Sequence, residues 1–265
     1  KFKSNKILII GETMIDQYVF CEALGKSGKE PVLVLRDLQT EEYLGGAAVI
    51  SRHLSNFCNK ISLLSMVGEK GEYLSKIKKE LPNNVNFRYI KKKNSPTILK
   101  RRFLDKIGNH KVLGVYKIYD DILENDEEKN FNKILKNLIP KFDLVIVSDY
   151  GHGLISKNSA KIICKLSKYL ALNAQVNAAN IGYHSLRNYK NIDSVIINST
   201  ELRHNLRDKN EKLEVLMKKM AKDQKIKKLV VTRGNQGSIL YSSKENKTTY
   251  CLPYAKKTID KIGAG

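Results

Sequence analysis

The stretch that decides the fold stands near the start of the chain: residues 7–16, ILIIGETMID. Its run of isoleucine and leucine predicts a strand that is buried on both faces, and Gly11 ends it. A carboxylate that follows such a strand, here Asp16, lies where open α/β sheets bind their ligands. Asp16 could accept hydrogen bonds from the hydroxyl groups of a ligand, or it could cap a turn, and the two interpretations are equally good.

Strand-like and helical segments alternate along the rest of the chain. Strands are predicted at residues 61–67, 144–147, 174–178, 194–197 and 228–232, and helices at residues 47–57, 71–81, 156–170 and 213–223. This alternation predicts βαβ units, and therefore a mostly parallel sheet covered by helices on both faces.

Two segments depart from this alternation. Residues 31–35 follow the first strand without room for a helix, and residues 97–104 and 111–118 flank a Gly-Asn turn that is typical of a β-hairpin. We expect these strands to form a small second sheet, with its strands within about residues 16–40 and 96–118. Such a sheet would serve as a lid, and two copies of the chain could form a homodimer through it.

The composition limits the possible partners. The 265 residues are long enough for one large domain, and a hydrophobic content of 42% excludes global disorder. A net charge of +21 could indicate a nucleic-acid partner. The lysines, however, are scattered on what look like solvated helix faces. We therefore predict no specific nucleic-acid partner, and a surface that favours small anions.

Two further compositional features bear on location. No apolar run approaches the roughly 20 residues of a membrane-spanning helix, so we predict no membrane partner. The four cysteines are far apart, with no CxxC pair, which disfavours a zinc site and a disulfide framework. This pattern favours a reducing, cytoplasmic location.

Two glycine-containing segments could bind phosphate. Thr232, Gly234 and Gly237 follow a predicted strand, where backbone amides can approach a phosphate or a ribose closely. A turn between two strands has the same composition. Residues 263–265, Gly-Ala-Gly, could open a helix whose free N–H groups bind an anion, or could form an ordinary turn.

Two polar motifs also follow predicted strands. Asn198 and Glu201 present an amide and a carboxylate toward one point, which suits a water-coordinated Mg²⁺. The same spacing makes an N-terminal capping box, and from the motif alone the capping box is favoured. Asp149 and His152 are candidate substrate contacts, although a lone histidine is more often structural.

Taken together and in order, these features resemble the ribokinase-like (PfkB) carbohydrate kinases over the whole chain. The resembling segments are residues 7–16, 45–48 (GGAA), 96–97 with 100–101, 148–153 (SDYGHG), 198 with 201, 232–237 (TRGNQG) and 260 with 263–265. Within the family the chain looks most similar to the heptose-7-phosphate kinase domains of bacterial bifunctional heptose kinase/adenylyltransferases.

The resemblance implies a Rossmann-like three-layer α/β/α domain with a β-sheet lid, which transfers the γ-phosphate of ATP to a sugar hydroxyl with Mg²⁺. It implies a sugar site at Asp16, Gly45 and Gly46, and a sugar or sugar-phosphate site at Lys100, Arg101 and Asp149. Asn198 and Glu201 would organise Mg²⁺. The nucleotide would lie along Asn198, Thr232, Gly234 and Gly237, and Gly263, Ala264 and Gly265 would form the anion hole.

Three positions depart from the family pattern. Val49 stands where the family usually has an asparagine, and Ala179, in residues 177–180, stands where heptose kinases have a lysine. The family's general-base aspartate is expected just after Gly265, so we expect the chain to be an incomplete kinase domain, inactive by itself. The alternatives are a kinase for another sugar, sugar phosphate or nucleoside, and a non-catalytic nucleotide- or sugar-binding module.

Overall fold

The computed structural model describes residues 2–108, 110–175 and 186–254 of the chain. Thirteen strands lie within these residues. In chain order they are β1 (Lys6–Gly11), β2 (Thr13–Lys26), β3 (Leu33–Gly46), β4 (Lys60–Gly68), β5 (Val85–Lys92), β6 (Ile98–Asp105), β7 (His110–Lys117), β8 (Leu144–Asp149), β9 (Leu170–Ala174), β10 (Ser194–Asn198), β11 (Lys228–Thr232), β12 (Ser238–Ser242) and β13 (Lys247–Cys251).

Six α-helices lie in the same described ranges. They are α1 (Ala47–Leu54), α2 (Leu74–Glu80), α3 (Asn125–Leu138), α4 (Lys157–Leu166), α5 (Ser199–Leu206) and α6 (Leu213–Gln224). No helix among the residues described is both long and apolar enough to cross a membrane.

The main sheet has the strand order β13-β12-β11-β10-β9-β8-β1-β4-β5. Pairing is parallel from β5 across to β11 and antiparallel from β11 to β13. The predicted α/β class with a mostly parallel sheet is confirmed.

Strand β1 shows why the sheet is covered on both sides. Ile7 and Ile9 pack into one hydrophobic cluster with residues of α1 and α2, whereas Leu8 and Ile10 pack into a second cluster with residues of α3 and α4. All four side chains are at most 3% exposed. Burial of each stabilises the fold by roughly 1.5–3 kcal/mol relative to an exposed side chain, so a single strand joins the two helical layers.

The second sheet has the order β3-β2-β6-β7, and it stands off the main sheet as the predicted lid. Its β6–β7 pair is the hairpin that the sequence indicated, and β2 pairs with β6 in parallel. Strand β2 begins two residues after β1 ends, so the chain passes directly from an interior strand of the main sheet into the lid.

Three predicted elements differ from the structure. Residues 13–16 belong to strand β2 and not to a loop, because they pair with β3 and β6. The helix predicted for residues 156–170 ends at Leu166, since Ser167 is extended and Leu170 is needed in the sheet. The following strand, Leu170–Ala174, therefore begins four residues before the predicted start at residue 174.

Several residues named from the sequence lie outside the described residues. They are the segment 177–180, which contains Ala179, and the segment 260–265, which contains Gly263, Ala264 and Gly265.

We predict that Gly11→Ala destabilises the protein by more than about 2 kcal/mol, because overpacking at a fixed backbone is costly. A Cβ atom at Gly11 would lie 2.1 Å from the carbonyl oxygen of Ser148 on β8, so β1 and β8 would have to separate. The measurement is the free energy of unfolding in urea. Gly28→Ala is the matched control, because a Cβ atom there meets nothing within 4 Å; equal stability of the two variants would contradict the prediction.

Candidate active site

A cleft of about 730 Å³ opens between the lid and the carboxyl ends of the main strands. Its walls come from both sheets. The lid wall includes Met14, Asp16, Tyr18, Tyr43, Leu44, Gly45, Gly46, Lys100, Arg102 and Lys111, and the opposite wall includes Val49, Tyr150, Asn173, Gln175, Ile196, Ile197, Asn198, Glu201 and Thr232.

The lid wall is organised around an ion pair between Asp16 and Arg102. Asp16 on β2 pairs in register with Lys100 on β6, and side chains two residues apart on a strand share a face, so Arg102 points the same way. Arg102 donates to the Asp16 carboxylate, and its guanidinium carbon lies 5.7 Å from the ring centroids of both Tyr18 and Tyr116. Two aromatic faces and one carboxylate thus hold this cation in the cleft.

Lys100 is a nearly buried cation on the same wall. Lys100 is only 7% exposed. This burial lowers the pKa of its ammonium group. The ammonium nitrogen lies 5.6 Å from the ring centroid of Tyr150, on the other wall. The lid and the main sheet therefore meet through this pair of side chains.

Arg101 lies away from the site that was predicted for it. It lies on the opposite face of the lid, where it donates to Gln17, which in turn donates to Glu42 over 2.7 Å. Arg101 is not among the residues that line the cleft, and Arg102 takes the place expected for it. The two-residue period of the predicted strand carried the signal, because it separates Lys100 and Arg102 from Arg101.

Gly45 and Gly46 lie where β3 returns to the main sheet, and both line the cleft. A Cβ atom at Gly45 would lie 2.2 Å from an oxygen of the Asp16 carboxylate. Any larger residue at position 45 would therefore displace the carboxylate, which ties this glycine to the geometry of Asp16.

Asn198 and Glu201 form the capping box of α5. The Asn198 side chain accepts from the Glu201 backbone N–H over 2.8 Å, and the Glu201 carboxylate accepts from the Asn198 backbone N–H over 2.8 Å. Both residues also line the cleft. The cap fixes the two side chains at the helix N-terminus, where the dipole and free N–H groups favour anions.

The segment from Thr232 to Gly237 is the connection between the antiparallel strands β11 and β12. It closes with a hydrogen bond of 2.8 Å from the Arg233 N–H to the Gly237 carbonyl. Thr232 lines the cleft, whereas Gly234 and Gly237 are not among its lining residues. The interpretation as a turn between strands therefore describes the backbone correctly.

Asp149 and His152 lie beneath the cleft rather than on its surface. The Asp149 carboxylate accepts from the Tyr189 hydroxyl over 2.6 Å and from the Gly151 N–H over 3.0 Å, and burial raises its pKa to about 6. His152 is 0% exposed, and its Nδ1 lies 2.7 Å from an oxygen of Asp120. Neither residue is among those that line the cleft, so the structure places both candidate substrate contacts behind its surface.

Besides Arg102, six polar residues of the cleft were not singled out from the sequence: Tyr18, Tyr43, Lys111, Tyr150, Asn173 and Gln175. Asn173 and Gln175 were not predicted because the strand was expected at residues 174–178, whereas β9 spans Leu170–Ala174 and so ends earlier in the chain. Tyr150 lies inside the motif SDYGHG, in which Asp149 and His152 were the predicted substrate contacts.

The pfkB family carbohydrate kinase model matches residues 4–265. The chain belongs to this family of carbohydrate kinases. Among curated relatives, the bifunctional protein HldE of Haemophilus influenzae (strain PittEE) is 26% identical over 278 residues. That match covers 100% of this kinase chain and 54% of the relative, so the chain spans about half the relative's length.

Solved structures show the same fold. Phosphofructokinase-2 from Escherichia coli, in complex with fructose-6-phosphate, aligns with this carbohydrate kinase at a TM-score of 0.73 and 15% identity, over 98% of this chain and 83% of that one. Arabidopsis thaliana ribokinase, complexed with ribose and ATP, aligns at a TM-score of 0.67 and 19% identity, over 98% and 82%. The predicted ribokinase-like fold is thereby confirmed.

We predict that Asp149→Asn gains stability relative to the native kinase as pH rises from 4 to 7. Burial raises the folded pKa of Asp149 from its ordinary 3.8 to about 6, so the folded protein binds this proton more tightly than the unfolded chain does. The contribution of Asp149 to native stability therefore falls across that range, by on the order of 3 kcal/mol, and asparagine removes this contribution.

The measurement is the free energy of unfolding in urea at each pH, for both proteins. Burial raises the pKa of Glu12, and the charge of Asp149 raises it further, so the loss of that charge acts in the same direction. Two stability curves that stay parallel from pH 4 to 7 would show that Asp149 does not carry the shift.

Proposed function

We propose that this carbohydrate kinase phosphorylates a hydroxyl group of an anionic sugar, with ATP as the phosphoryl donor. A heptose 7-phosphate is the leading candidate for the acceptor. The observation that carries the proposal is that Lys100 and Arg102 face the same cleft as Asp16. Asp16 is suited to accept from sugar hydroxyls, and the two cations are suited to a phosphate group on the same molecule.

The electrostatics of Lys100 favour an anionic acceptor. Among the described residues its ammonium group has no ion-pair partner within 4 Å, although the residue is only 7% exposed. A buried charge without a partner costs free energy, and burial accordingly lowers the pKa of this lysine. A bound phosphate would offset that cost, whereas a neutral sugar would not.

The opposite wall suits the donor. Asn198, Glu201 and Thr232 supply amide, carboxylate and hydroxyl oxygens at one end of the cleft, and such oxygen donors fit a water-coordinated Mg²⁺. We propose that these residues hold ATP and Mg²⁺, which supply the transferable phosphoryl group and the charge that neutralises it. The ribokinase relative in fold is described in complex with ATP, which supports this assignment.

The residues of the chain would do the positioning. Asp16 would orient the acceptor hydroxyl, and Lys100 and Arg102 would hold the acceptor's anionic group. The lid would limit the access of water to the cleft. The proposed anion hole remains Gly263, Ala264 and Gly265, which lie outside the described residues. The proposed location of the protein remains cytoplasmic.

Val49 is the observation that favours a different acceptor from that of typical relatives. It lines the cleft at the position where the family usually has asparagine, and its hydrocarbon side chain can neither donate nor accept a hydrogen bond. A different sugar is therefore the second candidate. A non-catalytic binding module is the remaining alternative, and a phosphorylation assay distinguishes it from a kinase.

We predict that Arg102→Ala raises the KM for a sugar-phosphate acceptor about 10- to 100-fold. This factor corresponds to the free energy of one hydrogen bond to a charged group. The assay is steady-state phosphorylation of a panel of heptose, hexose and pentose phosphates and their neutral sugars by the intact protein that contains this chain. Arg101→Ala is the matched control, because it removes the same group from the opposite face of the lid.

Three results would contradict the proposal. Preference for neutral sugars would exclude an anionic acceptor. Equal effects of the two arginine substitutions would remove the assigned role of Arg102. Binding of ATP without phosphorylation of any acceptor in the panel would favour a binding module.

We also propose that two copies of the chain pair through the lid. The lid face that carries Arg101 exposes apolar side chains on the edge strand β7: Leu113 is 52% exposed and Val115 is 47% exposed. Strands β3 and β7 are the edges of this sheet within the described residues, and open edges with apolar neighbours favour association.

We predict that Leu113→Glu combined with Val115→Glu converts a dimer of the intact protein to a monomer, because charge repels charge across a two-fold interface. Sedimentation velocity gives the oligomeric state. Val215→Glu is the control, since Val215 is 47% exposed on α6. A native protein that sediments as a monomer would contradict the proposal.

A further inference from the structure

We propose that Glu12 is the positioning residue for the acceptor side of the cleft. This inference rests on the proposed sugar-kinase function and adds to it a residue that does not itself line the cleft. Glu12 stands between β1 and β2, and it is 0% exposed.

The carboxylate of Glu12 holds the loop that follows β8. One oxygen accepts from the Tyr150 N–H over 2.9 Å, and the other accepts from the His152 N–H over 3.2 Å. Each bond joins residues about 140 positions apart in the chain. The two amides of this loop therefore depend on one side chain that directly follows the end of β1.

The backbone of Glu12 holds a second segment. Its carbonyl oxygen accepts from the N–H of Ala47 over 2.9 Å, directly after Gly46. Glu12 is also followed at once by β2, which carries Asp16. One residue thus connects the start of the lid, the end of β3 and the loop after β8.

The connection reaches the cleft through Tyr150. This residue lines the cleft, and its ring centroid lies 5.6 Å from the ammonium nitrogen of Lys100. If the Tyr150 backbone moves, Lys100 loses the aromatic face against which it is held. Asn198 and Thr232 lie on other strands and form no hydrogen bond with Glu12 among the described residues. The effect on the acceptor should therefore be larger than the effect on ATP.

Glu12→Gln tests this inference with little change in volume. A glutamine keeps one acceptor oxygen but turns an NH₂ group toward the second backbone N–H, so one of the two bonds is lost. Both loop amides are buried or partly buried, and an unsatisfied donor there costs free energy.

We predict that Glu12→Gln in the intact protein raises the KM for the sugar phosphate about tenfold, with kcat and the KM for ATP changed less than about twofold. Tyr150→Ala should raise the same KM, and the double variant should show less than the sum of the two effects, because both act through Tyr150. Hydrogen exchange should accelerate at the amides of residues 150 and 152.

Asp193→Asn is the matched control. The Asp193 carboxylate is also largely buried, and its two oxygens accept from the Leu170 N–H over 2.8 Å and from the Lys227 ammonium group over 2.6 Å. It directly precedes β10, at the amino ends of the parallel strands and therefore at the opposite end of the sheet from the cleft. The same chemical change there should lower the unfolding temperature without altering either KM.

Several outcomes would overturn the inference. They are an unchanged acceptor KM in Glu12→Gln, an equal rise in the KM for ATP, additive effects in the double variant, and unchanged exchange at residues 150 and 152. If the native protein phosphorylates no acceptor, the proposed function fails by itself. The exchange measurement, which needs no turnover, then still decides whether Glu12 positions the loop.

Discussion

The pairing of β1 between β4 and β8 is the interaction on which the rest of the structure depends. Because Ile7 to Ile10 are buried on alternate sides, this strand joins the two helical layers. Its carboxyl end is also the point at which the lid leaves the main sheet. The Ser65 hydroxyl donates to the Gly11 carbonyl over 2.6 Å and accepts from the Thr13 N–H over 2.9 Å, so the junction is fixed by β4 itself.

Charge is distributed unevenly between the walls of the cleft. The lid contributes Lys100, Arg102 and Lys111 against the single carboxylate of Asp16, whereas the carboxyl ends of the main strands contribute amides, a hydroxyl and Glu201. Lys100 and Glu201 are the buried charges of the two walls, and burial strengthens their interactions with partners because water screens them less. An anionic acceptor on the lid side and a metal-bound nucleotide on the other would satisfy both walls.

The residues around the cleft show that structural and functional interpretations of a motif are compatible. The Asn198–Glu201 pair is a capping box, and through that cap it holds an amide and a carboxylate in the cleft. Asp149 does not line the cleft. Its buried carboxylate accepts from the Tyr189 hydroxyl and from the Gly151 N–H, and so orders the loop after β8. Glu12 holds the same loop from β1, so two buried carboxylates determine where Tyr150 lies.

The sequence by itself determined the family, the parallel sheet and the lid, because these follow from local hydrophobic periods and from motifs of adjacent residues. It placed Asp16, Gly45, Gly46, Lys100, Asn198, Glu201 and Thr232 among the candidates, and all of them line one cleft. The strand period puts Arg101 and Arg102 on opposite faces, but only the tertiary structure showed which face lines the cleft. It also put Asp149 beneath the surface and joined Glu12 to Tyr150. Those facts depend on which face of a strand meets which neighbour across more than 80 residues of chain, and no local pattern records such contacts.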